Sequence, residues 1–348
     1  MRTKFFYIIQ FFFGCIFLFS YSDVCAKIVL KMNHQFPSAT TGSKIDQWFA
    51  DQIKAATDNE IQIRIFWSNQ LGDPKENLGL LRTGAIDMAA MSPGYFPSEL
   101  AFFSAPNSIP MGMDDICQSS AIMKALMEQI PAFSMEAENN QIRPLFFHLL
   151  NPYLLVTKEP VLSVFDLKGK RIRTWGKDMP RLIEAVNGRP VPLFLPDIYP
   201  ALERNVIDGC PFSVDLVVSY KIYELAKHIT EVVLWEGPGW GVWISEKAWE
   251  KLTPRHRQIF METAEKARLL EISATQAAEK NARAFLKQNK VTFHAFPEQE
   301  LAKWQRANPD FFKELILTLS KKGQADAARN MVALWLKMRK DIKCPPSD

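Results

Sequence analysis

The spacing of apolar positions changes several times along this chain, and each change predicts an element. Residues 27–32 (KIVLKM) predict a first strand. Over 40–56, Ile45, Trp48, Phe49 and Ile53 fall on one face at helical spacing, and Asp58-Asn59 ends the helix. Ile61, Ile63 and Ile65 then alternate with Gln62 and Arg64, the pattern of a half-buried strand. A turn at 70–73 leads into a helix over 75–83, and the apolar run 85–91 predicts a third strand that stops at Ser92-Pro93-Gly94-Tyr95. Strand, helix, strand, helix, strand is the signature of a parallel sheet. The stretch 101–142 predicts connecting loops and one helix over 114–127.

A second run of the same logic begins near Asn151. Strands are predicted at 153–157, 171–173, 190–195 and 210–212, with helices over 179–187 and 196–205. The chain then returns with a strand at 241–244. Thr253-Pro254 is a strong helix start, an N-cap followed by proline at the first helical position. No glycine or proline follows until after Gln288. A helix of ~35 residues spans ~50 Å, more than one small lobe, so it is predicted to pack across two. Further amphipathic helices are predicted over 297–340. The expected architecture is α/β, with two lobes around a cleft. Lobe I comprises 27–150 and 239–278, and lobe II comprises 151–238 and 279–348.

The first residues change where this fold would act. Arg2 and Lys4 precede an apolar run over 5–19, and Val24-Cys25-Ala26 follows as a small-residue cleavage site. Residues 1–26 are therefore expected to be a cleaved signal peptide, and the protein is expected in the periplasm. A formal net charge of +4 without a Lys/Arg block gives no basis for nucleic-acid binding. Beyond the leader, Cys117, Cys210 and Cys344 form an odd set. A Cys117–Cys344 or Cys210–Cys344 bridge is open, but free thiols are the expectation.

Two stretches carry the chemistry. DLKGKRIR (166–173) is a glycine turn launching a short strand that presents Arg173, and YPALERNVIDG (199–209) is a short helix closed by a polar turn. Together they place one guanidinium at the mouth of a sheet, where its planar fork matches a carboxylate bidentately. Ligands of open α/β sheets sit beyond the carboxyl ends of the strands. That rule nominates Phe36, Ser92 and Tyr95. Trp175, Phe212 and Trp240 are candidate aromatic walls, although an aromatic in an α/β core is packing by default.

The chain resembles the DctP-type solute receptors of TRAP transporters. Four segments carry the resemblance, in order: QLGDPKENLGLLRTGAIDMAAMSPG (70–94), DLKGKRIRTW (166–175), PVPLFLPDIYPALERNVIDG (190–209) and WISEKAWEKL (243–252). It implies a two-lobed, type II-like periplasmic binding protein, with the long helix spanning both lobes. Such a protein would close on an organic acid and deliver it to TRAP membrane permease subunits driven by an ion gradient. It also implies that Arg173 is the principal ligand-binding residue and that Leu195 occupies a ligand-stacking position. Near Tyr153, where many relatives carry a second basic residue, this chain has none, and Phe212 stands where an asparagine often follows the turn. One hook among aromatic walls predicts a monocarboxylate with an apolar or aromatic body, because a second buried carboxylate would lack a partner.

Other chemistry finds no pattern. The five histidines show no HxH, HxxxH or HExxH spacing, and GxSxG, Walker and GxGxxG motifs are absent. No cofactor, metal or enzymatic activity is expected, and a monomer is. A receptor that feeds a signalling partner, an ABC-type receptor, and a structural protein with a degenerate cleft are the competing readings.

Overall fold

A computed structural model describes residues 28–342; the expected signal peptide, residues 1–26, and Cys344 lie outside them. Three strands form where the pattern places them: β1 (Ile28–His34), β2 (Ile61–Phe66) and β3 (Met88–Met91). They pair in parallel, with β1 between the other two. The alternating isoleucines of β2 turn inward onto α1 (Thr41–Ala56), which Thr40 caps by accepting from the Ser43 N–H. The loop after β2 enters α2 (Asn77–Thr83), which Gly84 closes in the left-handed conformation.

The stretch 101–142, expected to be loops and one helix, holds three helices: α3 (Ala101–Ser108), α4 (Ile116–Gln129) and α5 (Pro131–Asn139). Pro106 inside α3 and Pro131 at the start of α5 broke the pattern in the sequence. In the fold, α3 receives its N-terminal cap from elsewhere. Glu136 of α5 accepts from the backbone N–H groups of Phe102 and Phe103 at 3.0–3.1 Å.

β4 (Ile142–Leu149) was not predicted; it completes the first sheet, whose order is β2-β1-β3-β10-β4, with β10 the returning strand at Pro238–Ser245. The second sheet starts with β5 (Tyr153–Thr157), β6 (Arg171–Thr174), α6 (Met179–Glu184) and β7 (Arg189–Pro192). It continues with α7 (Ile198–Glu203), β8 (Gly209–Phe212) and α8 (Val214–Ser219). The predicted strand 190–195 stops at Pro192, and the remainder turns into a short 3-10 segment at Leu195–Asp197. β9 (His228–Trp235), also unforeseen, joins this sheet. β10 (Pro238–Ser245) then carries the chain back to the first, antiparallel to β3 and β4.

The two crossings between the sheets, after Leu149 and after Trp235, lie side by side, with the Leu150 N–H donating to the Gly237 carbonyl at 3.4 Å. Gly237 has φ +153°, and a Cβ there would stand 2.8 Å from the Pro106 carbonyl oxygen. Both the conformation and the space select glycine.

After α9 (Glu246–Glu250), α10 (Pro254–Gln288) runs 35 residues with its predicted cap, the Thr253 side chain accepting from the His256 N–H. It lies along α1 and β4 of the first lobe and then along α8 of the second. Phe260 meets Phe49 near one end and Phe285 meets Tyr223 near the other.

β11 (Thr292–Ala295) forms the edge of the second sheet, whose order is β11-β9-β5-β8-β6-β7. α11 (Glu298–Ala307) docks on α6 through Trp304, whose indole N–H donates to the Leu182 carbonyl. α12 (Phe311–Ser320) follows, with Glu314 paired to Arg181. α13 (Ala325–Asp341) packs on α12 and on α4, and the Trp335 N–H donates to the Gly112 carbonyl at 3.0 Å.

The expectation of free thiols fails at Cys117, which is disulfide-bonded. The expectation holds at Cys210, which is free and buried in β8.

Candidate functional site

Arg171 and Arg173 share one face of β6 because side chains two apart in a strand point the same way. The first lies at the outer end. It is half exposed and gripped by Asp208, with Nη2 2.6 Å from Oδ1 and Nε 3.0 Å from Oδ2. The second lies at the carboxyl end and is 3% exposed. Its Nε donates to the Leu193 carbonyl at 3.1 Å, and its guanidinium carbon lies 4.4 Å from the centroid of the Trp175 ring.

Among the described residues, no carboxylate forms an ion pair with Arg173. The groups that act on it electrostatically are Tyr153, Tyr95, Cys210 and Tyr220. Burial pulls its pKa down from the ordinary value, yet a guanidinium remains charged at any working pH. Burial also raises its neighbours: the Cys210 thiol and the Tyr220 phenol are each pushed up to about 12, and Tyr95 and Tyr153 are raised too. The phenols around Arg173 are therefore neutral.

Arg173 faces an inner compartment of about 40 Å³ between the lobes. Lobe I contributes Gln35 and Phe36 after β1, Ser92 and Tyr95 after β3, and Asn107 from α3. Lobe II contributes Tyr153, Trp175, Leu195 and Trp235, while Leu150 and Gly239 come from the crossings. The Asn107 amide donates to the carbonyls of Pro238 and Gly239, which ties α3 to the crossing strand. The Ser92 N–H donates to the Gln35 amide oxygen. The buried indole N–H of Trp235 has no acceptor among the described residues.

An outer compartment of about 470 Å³ shares Gln35, Phe36, Tyr95 and Leu195 with the inner one. Asn69, Asp73, Pro74, Lys75 and Glu76 line it from the loop before α2, and Phe194, Pro196, Asp197 and Tyr220 from lobe II. Phe194 meets both sides of the cleft boundary: its ring centroid is 5.4 Å from that of Tyr95 and 5.1 Å from Lys75 Nζ.

Six of the eight candidate residues thus line the inner compartment: Arg173, Trp175, Ser92, Tyr95, Phe36 and Leu195. Phe212 and Trp240 do not line it; they stand one layer behind. Phe212 is fully buried against Tyr153 and Tyr220. Trp240 lies inside β10 rather than ahead of it, between Phe36 and His148. Sequence reasoning missed Asn107, Trp235, Phe194, Tyr220 and Lys75. Phe194 and Lys75 sat inside segments already singled out, beside Leu195 and at the start of a helix; Asn107 and Trp235 sat in elements not predicted.

Behind Phe36 lies a second buried charge centre. The Phe36 N–H donates to His34 Nδ1, so His34 Nε2 carries the proton that meets Asp46 at 2.7 Å. His148 bridges Asp46 at 2.7 Å and Glu271 of α10 at 2.6 Å, one carboxylate on each ring nitrogen. Burial opposes charge on His148, but the two carboxylates outweigh it and raise its pKa to about 10. Burial likewise opposes charge on Asp46, and the charge and hydrogen bonds of His148, with the His34 bond, outweigh that and lower its pKa. Glu271 is raised by burial.

Two lobes, each built on its own sheet, a cleft between them and a buried unmatched cation at its floor define a solute-binding receptor fold. The family model of the bacterial extracellular solute-binding proteins, family 7 (DctP), matches residues 32–318, and the chain belongs to that family. A C4-dicarboxylate-binding protein of Bacillus subtilis is 23% identical over 84% of this chain and 86% of its own length. A solute-binding protein of Roseobacter denitrificans is 22% identical over 77% of this chain and 81% of its own. Among solved structures, a marine-metagenome TRAP solute-binding protein specific for aromatic acid ligands superposes with a TM-score of 0.80. It is 20% identical and covers 90% of this chain and 99% of its own. The family and these neighbours are solute-binding receptors. Among the described residues, no helix is long and apolar enough to cross a membrane.

Proposed function

We propose that this protein is the periplasmic receptor of a TRAP transporter, exported by the leader 1–26, and that it captures a monocarboxylate with an apolar or aromatic body. The observation that carries this reading is Arg173, a buried guanidinium with no carboxylate partner among the described residues, facing a compartment between two lobes. A buried charge is costly unless it is paired, and a ligand carboxylate supplies the pair. Among the described residues, Arg173 is the one cation on the lining of the inner compartment. The relatives differ in ligand: the Bacillus protein binds C4-dicarboxylates and the marine protein aromatic acids. The aromatic lining here favours the latter.

Binding starts with the lobes apart and Arg173 in contact with water. The carboxylate docks on the fork, the lobes close about the crossings near Asn151 and Gly237, and water leaves. Exclusion of water strengthens the ion pair. The closed form is what permease subunits recognise.

Thermal unfolding against mono- and dicarboxylates, keto acids, aromatic acids and acidic sugars tests this. A ligand of the native state adds about 2.7 kcal/mol at a hundredfold excess over Kd. One acid class should stabilise the protein. Arg173→Ala should abolish the effect, and Arg173→Lys, which keeps the charge but loses the fork, should lose most of it. Tight binding of C4-dicarboxylates with none of aromatic acids would overturn the ligand class; near-normal binding by Arg173→Lys would remove Arg173 from its role.

A further inference from the structure

We infer that the ligand is a two-part molecule whose far end carries a cationic or hydrogen-donating group, and that Asp73 and Asp197 select it. This rests on the assignment of Arg173 as the carboxylate site and goes beyond it to the other end of the ligand. The inner compartment, at about 40 Å³, is much the smaller of the two. A ligand held at Arg173 and too long for it extends into the outer compartment of about 470 Å³, which shares Phe36, Tyr95 and Leu195 with it.

The outer compartment differs in charge from the inner one. Asp73, Glu76 and Asp197 stand on its lining against the single ammonium of Lys75. Glu76 is turned to its own loop, accepting from the Asp73 N–H at 2.8 Å. Asp73 and Asp197 come from opposite lobes, are exposed, and form no ion pair among the described residues. An anionic tail there would meet uncompensated carboxylates, and a cationic tail would meet partners. The aromatic lining adds to this, because ring faces attract cations. Lys75 Nζ already sits 5.1 Å from the Phe194 centroid, so that face accepts an ammonium in this structure. Selection therefore works in part by repulsion, the cleft rejecting a second carboxylate as well as receiving a donor.

Calorimetric titration of the protein with matched acids tests the inference. One series is phenylacetate, its para-aminomethyl derivative and para-phenylenediacetate; the other is hexanoate, aminohexanoate and adipate. The amino-tailed member of a binding series should bind roughly tenfold tighter than the diacid, as expected for opposite charges near two carboxylates at a wet surface. The combined change Asp73→Asn and Asp197→Asn should shrink that preference, read as the ratio of the diacid's Kd to that of the amino-tailed member. Lys75→Gln should widen it. If the unsubstituted acids bind and the diacid matches or beats the amino acid, the tail assignment is wrong and the Arg173 site stands. If no member of either series binds, the carboxylate reading falls and takes the tail assignment with it. A preference unmoved by the double aspartate change would also overturn the role given to those residues.

Discussion

Each lobe buries a charge centre, and the two are built on opposite plans. In lobe I, His148 lies between Asp46 and Glu271, and Asp46 also accepts from His34, so the polar atoms of both histidines and both Asp46 oxygens have protein partners. In lobe II, Arg173 has one backbone acceptor and an aromatic face, with no carboxylate among the described residues. A centre satisfied from within holds the fold together. A centre left open at a compartment between lobes is available to a ligand. Burial alone does not separate the two, since all these residues are nearly or fully inaccessible.

Deleting each centre should therefore have opposite effects on the unliganded protein. His148→Phe leaves two carboxylates buried without their cation and should cost about 3–5 kcal/mol in chemical denaturation. Arg173→Met breaks no ion pair among the described residues, with the cleft open or closed, and should leave unliganded stability unchanged or raised. Equal losses in both variants would dissolve the contrast.

A pH series sharpens it. His148 is raised from 6.5 to about 10 in the folded state. Its contribution is fully present below its ordinary pKa and is lost as pH rises through about 10. The stability gap between the native protein and His148→Gln should accordingly narrow between neutral pH and pH 10; a constant gap would mean that His148 is not charged. Smaller effects are expected around Arg173. Trp175→Leu removes the ring under the guanidinium and should weaken acid binding about fivefold in calorimetry. Smallest of all, Arg171→Gln should leave affinity within about twofold of normal, because Arg171 is spent on Asp208 at the surface. A large loss there would mean that the wrong arginine of the pair has been chosen.

The sequence exposed this contrast only in part. Arg173 was legible because a glycine turn and a short strand fix where its side chain goes, and α10 was legible because its cap and unbroken length are local properties. The partners that make the lobe I centre were not. Asp46, His148 and Glu271 are far apart in sequence and meet only after β4 has paired with β10 and α10 has crossed both lobes. β4 and β9 escaped because they are largely buried and lack clean alternation, and periodicity alone does not separate such a run from a helix. Trp240 was assigned to the wall from the aromatic returning segment GPGWGVW, with the strand expected only from Gly241, whereas β10 begins at Pro238. Inside β10 it turns from the compartment toward His148.

The length of α10 constrains how this receptor moves. Kinks in helices arise at proline, glycine or bulges, and α10 has neither proline nor glycine after Pro254. It runs unbroken from the first lobe to the second. Midway along it, Glu271 is held to lobe I through His148, and the Thr275 carbonyl accepts from Asn151, whose amide also reaches Asp215 of lobe II. Those two turns of helix are bonded to both lobes, so any movement of one lobe against the other bears directly on them.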